Sequence, residues 1–232
     1  MPCDACSGQD PPFSVHRVLI SIMGSSTAAR PKTSLKHPLR IDAVEAPGGG
    51  LIGMTLCPGK VQSYAASGTW DRDLGLDLVR IQEWGAVAVV TLMEAFELAE
   101  YHVERIGAAV EALGMEWHHL PIVDADVPRE PFEAAWAQSG PTLRGHLAAR
   151  RRILLHCRGG LGRTGTVAAR LLAELGMRAQ DAIAAVRAAR PGALETAAQV
   201  VHARSVRFIS PAARQARREA PRRISERATG LD

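Results

Sequence analysis

The segment from His156 to Gly165 constrains this chain more than any other stretch of its sequence. It consists of the residues HCRGGLGRTG and follows the apolar run Ile153–Leu155. The stretch after it, Val167–Leu175, consists mostly of good helix formers. A glycine-rich loop between a buried strand and a helix can turn its backbone N–H groups toward one point, where the helix N-terminus adds positive potential. The segment therefore predicts an anion-binding loop that suits phosphate or sulfate.

Two side chains add chemistry to this loop. Cys157 lies beside the helix N-terminus and near Arg163, and both surroundings favour a thiolate over a thiol. Arg163 carries a planar guanidinium that can bind two phosphate oxygens at once. A free cysteine considered alone is usually a small buried hydrophobe. Together, however, the thiolate and the anion loop indicate phosphoryl transfer through a cysteine.

The order His-Cys, five residues, Arg and Thr resembles the signature loop of the cysteine-dependent protein tyrosine and dual-specificity phosphatases. Other stretches are similar to the kinase-associated branch of the dual-specificity phosphatases, which is named for a member that acts on a cyclin-dependent kinase. The resemblance covers about residues 38 to 205. The stretches that carry it are Leu56–Lys60, Ala86–Leu92, Glu97-Leu98, Tyr101–Val103, His118–Ile122 and Arg190–Gln199.

The resemblance implies a role for each residue of the loop. Cys157 attacks phosphorus and forms a phosphocysteine, and the Thr164 hydroxyl hydrogen-bonds the departing thiolate in the second step. His156 holds the loop in place. Arg163 and the backbone N–H groups of the loop bind the phosphate oxygens, with no metal or other cofactor, because the loop itself supplies the positive charge. These N–H groups belong to Arg158, Gly159, Gly160, Leu161, Gly162 and Arg163.

An acid is also needed to protonate the leaving group, and in this superfamily it is an aspartate upstream of the loop. The candidates are Asp124 and Asp126, in a Pro-closed segment that follows an apolar strand. The family pattern places the acid after a Pro-Ile-x segment, which favours Asp124, although either residue could be an ordinary turn acid. The resemblance further implies that Gln199 helps to place the water that hydrolyses the phosphocysteine. The alternative for Gln199 is a solvated glutamine on a helix surface.

The predicted substrate is a phosphoprotein, with tyrosine or dual specificity, and a kinase is a candidate partner. Leu161 stands where phosphoinositide-directed relatives carry a lysine, which argues against a lipid substrate. Two other functions stay open: a catalytically silent phosphopeptide-binding module and a sulfur- or arsenate-handling enzyme. The presence of Asp124 and Thr164 beside Cys157 and Arg163 argues against both.

Composition fits one domain with additional ends. The chain has 232 residues, of which 47% are hydrophobic, enough for a single core. We predict a flexible N-terminal segment over 1–36, a phosphatase domain over 37–209 and a basic tail over 210–232. The tail lacks aromatic residues and any nucleic-acid motif, so we predict no nucleic-acid binding despite the net charge of +4.

Cysteine usage and hydropathy indicate the cellular compartment of the protein. The chain has four cysteines, no recognisable signal peptide and no apolar run long enough to span a bilayer. These features predict a cytoplasmic protein without a membrane anchor. A reversible disulfide between Cys57 and Cys157 is a further hypothesis, because reactive thiolates oxidise readily.

Strand and helix patterns alternate along the chain. Apolar runs predict strands near 38–44, 51–56, 86–92, 116–122 and 152–156, and helical periodicity appears at 71–84, 103–113, 130–149, 163–175, 179–189 and 194–209. The dipeptide Gly140-Pro141 is expected to break the 130–149 helix in two. This alternation predicts an α/β fold with a mostly parallel central sheet between helical layers, and the cysteine loop at the carboxyl end of a strand.

Overall fold

The computed structural model describes residues 30–65 and 68–209. The strands are β1 (Asp42–Glu45), β2 (Leu51–Thr55), β3 (Val61–Gln62), β4 (Trp70–Asp71), β5 (Ala86–Thr91), β6 (Glu116–His119) and β7 (Arg152–His156). The helices are α1 (Leu74–Glu83), α2 (Ala95–Glu100), α3 (Ile106–Ala112), α4 (Glu130–Ala148), α5 (Gly162–Glu174), α6 (Ala179–Ala189) and α7 (Ala197–Ser205).

A five-stranded sheet in the order β1-β2-β7-β5-β6 forms the centre of the molecule. Strand β1 is antiparallel to β2, and the other neighbours are parallel, which confirms the predicted α/β class. The central strand β7 carries the apolar run Ile153–Leu155, and all three of these residues are fully buried. Such continuous apolar runs are typical of strands covered by helices on both faces.

Strand register positions the site. Thr55 pairs with His156, His156 with Thr91, and Thr91 with His119, so four parallel strands end at the same level. The segments that leave β2, β5, β6 and β7 therefore meet at one edge of the sheet. This edge is the carboxyl end of the strands, where open α/β sheets usually bind ligands.

Helix α4 corrects one prediction, because it continues through Gly140 and Pro141 instead of breaking there. Both halves are buried, through Phe132 and Trp136 before the proline and Leu143 and Leu147 after it. Packing of the two halves outweighs the helix-interior cost of proline, which is about 3 kcal/mol. Sequence periodicity could not show this, because the packing partners lie elsewhere in the chain.

The smaller elements also differ from the sequence prediction. The β3–β4 ribbon and helix α2 were not predicted, since each is short and lacks a clear period. The first strand begins at Asp42 instead of near Pro38, and α7 covers only Ala197–Ser205 of the helix predicted over 194–209.

The ends of the chain fall largely outside the described residues. Most of the predicted N-terminal segment and the whole predicted tail lie there, so the domain boundaries stay predictions. Within the described part, Lys32 forms a β-bridge with Trp70, and the Ser34 hydroxyl bonds the backbone of Asp73. None of the helices in this part of the chain is both long and apolar enough to cross a membrane.

Candidate active site

The cysteine loop connects β7 to α5 in a tight turn. The N–H of Gly160 donates to Cys157 Sγ at 3.2 Å, so the loop folds back over its own cysteine. Gly160 has φ +72° and lies against β2, where a Cβ would overlap the carbonyl of Thr55. Only glycine fits this position without strain. The loop therefore depends on close backbone approach to the neighbouring strand.

Arg163 lies in the first turn of α5 and is 1% exposed. Its Nη1 and Nη2 donate to the two carboxylate oxygens of Glu97 at 2.6 and 2.8 Å, and Nη1 also donates to the carbonyl of Ile122 at 3.0 Å. Burial works against the charged guanidinium, but the hydrogen bonds and charge of Glu97 raise the pKa of Arg163 above its usual value. Arg163 is thus a permanent, fixed cation beside the loop.

The structure brings Asp124 to this cation. Its carboxylate lies 3.0 Å from Nη2 of Arg163 and 2.8 Å from Nη2 of Arg158, although its side chain is still 43% exposed. Asp124 therefore connects the segment after β6 with the cysteine loop. A carboxyl group in this place can reach a ligand bound by Arg163.

Asp126, the alternative acid, has other partners. Arg129 donates to both of its carboxylate oxygens, at 2.7 and 2.9 Å, and the N–H of Val127 donates to one of them at 2.8 Å. The hydrogen bonds from Arg129 hold the pKa of Asp126 below its usual value. The carboxylate of Asp126 thus binds Arg129, whereas that of Asp124 binds Arg158 and Arg163 beside Cys157, and the assignment of Asp124 as the acid stays a prediction.

His156 and Thr164 lie on either side of the loop. His156 Nε2 is 2.8 Å from the Thr91 hydroxyl, which accepts a hydrogen bond from the Trp117 indole at 2.9 Å. Burial lowers the pKa of His156 to about 3, so the ring is neutral and links β7 to β5. The buried Thr164 hydroxyl has no hydrogen-bond partner within residues 30–65 and 68–209, which leaves it available to a ligand or to the thiolate.

Gln199 is fully buried and is not the solvated surface glutamine of the alternative interpretation. Its Nε2 donates to the carbonyl of Asp126 at 3.2 Å, and its Oε1 accepts from the N–H of Thr196 at 3.3 Å. The amide also lies against Gly162, where a Cβ would come within 3.0 Å of it. Gln199 thus joins residues 120–128, the aspartate segment that carries Asp124 and Asp126, to the start of α5. Its role in placing water stays a prediction.

Two residues of the site could not be given a role from the sequence. Glu97 is the buried partner of Arg163, and Arg190 contacts the outer side of the cysteine loop. Both lie in stretches that resemble the kinase-associated branch, but no local pattern pairs a residue with one 66 positions away. The resemblance was thus the sequence signal for Glu97, and its burial on the short helix α2 appears only in the folded structure.

The second cysteine lies beside the first loop residues. The N–H of Cys57 donates to the carbonyl of Arg158 at 3.3 Å, and Cys57 and Cys157 are both buried free thiols. Burial raises the pKa of the Cys57 thiol, which makes it a slow partner in disulfide exchange. The disulfide hypothesis stays a prediction. Among the described residues, no group of three His, Cys, Asp or Glu side chains is placed to hold a metal ion.

Comparison with known proteins addresses the family of this chain. A family model described as the DSP-PTPase phosphatase domain of Swiss Army Knife proteins matches residues 74–206. Cyclin-dependent kinase inhibitor 3 of Rattus norvegicus is 32% identical over 131 residues, which are 55% of this chain and 60% of the relative. The same protein of Sus scrofa matches with the same identity and coverage. The chain thus spans about 60% of the length of the curated relatives it matches.

Two solved structures extend the comparison. Kinase associated phosphatase, crystallised with its catalytic-site cysteine replaced by serine, superposes with a TM-score of 0.63 and 26% identity, over 72% of this chain and 92% of the other. The active form of Tk-PTP gives a TM-score of 0.51 and 26% identity, over 69% and 92%. The likeness therefore covers nearly the whole of each solved structure and about seven tenths of this chain.

Proposed function

The chain belongs to the DSP-PTPase phosphatase domain family, and from that premise we propose that it is a cysteine-dependent phosphoprotein phosphatase. It hydrolyses phosphate monoesters through a phosphocysteine at Cys157. The observation that supports this most directly is the meeting of three groups at one edge of the sheet. They are the Cys157 thiol, the fixed guanidinium of Arg163 and the Asp124 carboxylate 3.0 Å from that guanidinium.

In the first step, Cys157 as a thiolate attacks phosphorus and forms the S–P bond. The bond from phosphorus to the leaving oxygen breaks, and Asp124 in its acid form gives that oxygen a proton. Arg163 and the N–H groups of the loop bind the three remaining phosphate oxygens, where negative charge spreads in a loose transition state. The buried pairing of Arg163 with Glu97 keeps the guanidinium oriented for this contact.

In the second step, water attacks the phosphocysteine and the S–P bond breaks. Asp124 accepts the proton of the water, and the Thr164 hydroxyl hydrogen-bonds the departing thiolate. The buried, unpartnered state of that hydroxyl among the described residues supports this role. The position of Gln199 between the aspartate segment and Gly162 supports a role in placing the water.

The proposed substrate is a phosphorylated protein, and a kinase is a candidate. The names of the relatives, cyclin-dependent kinase inhibitor 3 and kinase associated phosphatase, support a kinase partner. Leu161 in the middle of the loop adds no charge for further phosphates, which favours a protein over a phosphoinositide. A reactive Cys157 needs a reducing compartment, which supports a cytoplasmic location.

The test is hydrolysis of an aryl phosphate in the presence of a chelator, with the wild type beside Cys157→Ser and Cys57→Ser. Cys57 is a matched control because it is an equally buried free thiol beside the same loop. We expect Cys157→Ser to lose about 10³-fold or more in kcat, while Cys57→Ser stays active. A folded wild type that binds phosphate but turns over neither the ester nor phosphopeptides would contradict the proposal and indicate a binding module.

A further inference from the structure

Arg190, at the C-terminal end of α6, contacts the cysteine loop from outside. Its Nη2 donates to the carbonyl of Gly159 at 3.0 Å, and its Nε donates to the carbonyl of Gly160. Its Nη1 pairs with Asp42 of β1 at 2.7 Å. One guanidinium thus connects two consecutive loop carbonyls to the edge of the central sheet.

These two hydrogen bonds fix the direction of two peptide groups. In a trans peptide, the C=O of one residue and the N–H of the next lie in one plane and point in opposite directions. The carbonyl of Gly159 faces Arg190, and accordingly the N–H of Gly160 faces Cys157 Sγ, at 3.2 Å. The carbonyl of Gly160 also faces Arg190, so the N–H of Leu161 is turned to the inner side of the loop.

The sequence of the loop supplies no side chain that could take the place of this external contact. Gly159 and Gly160 have no side chains that could restrain the peptide between them, and glycine peptides reorient easily. A Cβ on Gly159 would meet no atom within 4 Å, so packing does not hold this residue either. If the Gly159 carbonyl turned inward, its partial negative charge would face the thiolate and the phosphate oxygens.

We propose that Arg190 is a positioning residue of the anion loop: by binding the carbonyls of Gly159 and Gly160, it keeps the N–H groups of Gly160 and Leu161 directed at Cys157 and the phosphate. This inference deepens the proposed function and rests on it for its catalytic meaning. Binding of an anion and the reactivity of Cys157 test it independently of turnover.

The experiment compares the wild type with Arg190→Lys, Arg190→Met and Asp42→Asn. The first readout is the rate of Cys157 alkylation by iodoacetate as a function of pH, followed by mass spectrometry of the peptide. The second is the concentration of inorganic phosphate that half-protects Cys157 from alkylation. With Arg190→Met we expect the alkylation profile to move to higher pH by about one unit, and the protecting phosphate concentration to rise about tenfold.

Graded effects are expected in the other two variants. Lysine can donate to only part of what the guanidinium binds, so Arg190→Lys should show a smaller shift in the same direction. Asp42→Asn removes the charge that anchors Nη1 and leaves both loop carbonyls with their donor, so its shift should be smaller still. These milder variants keep the test decisive if Arg190→Met does not fold.

Arg187→Lys is the matched control. Arg187 lies on the same helix and also donates to two consecutive carbonyls, those of Ala193 and Leu194, each at 3.1 Å. We expect it to lower the melting temperature while it leaves the alkylation profile and the phosphate protection unchanged. The proposal is overturned if Arg190→Lys and Arg190→Met behave like Arg187→Lys, with lowered stability and wild-type profiles. The Arg190 variants could show the expected shifts in alkylation and phosphate protection while the wild type hydrolyses no ester. That outcome would refute the proposed function and not the role of Arg190.

Discussion

The cysteine loop and the aspartate segment over 120–128 meet at the same edge of the sheet but are held in different ways. Cys157, Gly160, Gly162 and Arg163 are buried, and the backbone of the loop packs against β2. In the aspartate segment, by contrast, Val123 is 54% exposed and Ala125 takes a left-handed conformation with φ +59°. The anion site is therefore built into the core, whereas the candidate acid is attached to it from the surface.

The attachment of the aspartate segment uses a few polar contacts. Arg158 and Arg163 bind the Asp124 carboxylate, and Gln199 binds the carbonyl of Asp126. Buried, fixed donors stabilise developing charge without reorganisation, which suits the phosphate-binding half of the site. An exposed segment can move to admit a substrate and release a product, which suits the half that handles the leaving group.

Replacing Arg163, the buried cation of the cysteine loop, should have the largest effect on catalysis. We expect Arg163→Lys to lower kcat/KM by about 10²- to 10³-fold, because an ammonium cannot replace the guanidinium that binds both Glu97 and two phosphate oxygens. The measurement is steady-state hydrolysis of an aryl phosphate, with thermal unfolding recorded on the same preparations.

Arg170→Lys is the control for this change. Arg170 also lies on α5, is largely buried, and binds Glu133 and Glu174 away from the loop. The Arg170→Lys variant should be less stable than the wild type and should keep kcat/KM within a few-fold of it. Comparable losses of kcat/KM in both variants would mean that Arg163 acts by holding the helix in place, and the contrast between the two regions would fail.

A smaller effect is expected in the exposed region. Asp124→Asn should lower kcat by about 10²-fold on a phenyl ester, whose leaving group needs a proton, and by much less on an activated ester such as a nitrophenyl phosphate. Asp126→Asn should stay within a few-fold of the wild type on both, because its carboxylate binds Arg129 and Gln199 contacts only its backbone. The ratio of kcat on the two esters is the measurement, and a reversal of the two variants would identify Asp126 as the acid.

The same contrast shows how much could be predicted from the sequence. The cysteine loop lies within ten consecutive residues, so spacing, glycine content and the flanking strand and helix were enough to predict its position and the parallel sheet around it. Glu97 and Arg190 could not be assigned roles, because their contacts with the loop exist only once α2 and α6 are packed. The choice between Asp124 and Asp126 depended on family resemblance for the same reason, because the contacts of Asp124 with Arg158 and Arg163 exist only in the folded chain.

The continuous helix α4 is a further example of this limit. Local propensity predicted a break at Gly140-Pro141, but Gly140 leaves room for Arg144 and Trp136 beside the helix. Both side chains bind Glu174 on α5. These contacts join residues 30 and 38 positions apart, so local propensity could not indicate them.

The smallest expected effect concerns pH and the base of the cysteine loop. Because burial lowers the pKa of His156 to about 3, its ring is neutral in the folded protein, whereas in the unfolded chain it ionises near pH 6.5. Between these values the unfolded state binds one more proton than the folded state, so stability is complete above about pH 6.5 and is lost as the pH falls toward 3. From pH 6.5 to 5 this amounts to about 1–2 kcal/mol, or a few degrees in melting temperature.

Thermal unfolding between pH 5 and 7.5 measures this loss above the range in which most carboxylates titrate. His156→Asn should be less stable overall, because it weakens the link to Thr91, but should show a flatter dependence on pH. His202→Asn is the control, since its ring is only partly buried and should flatten the curve less. A His156 ring signal that titrates near pH 6.5 in NMR spectra would contradict the prediction and would mean that the base of the cysteine loop opens to water as readily as the aspartate segment.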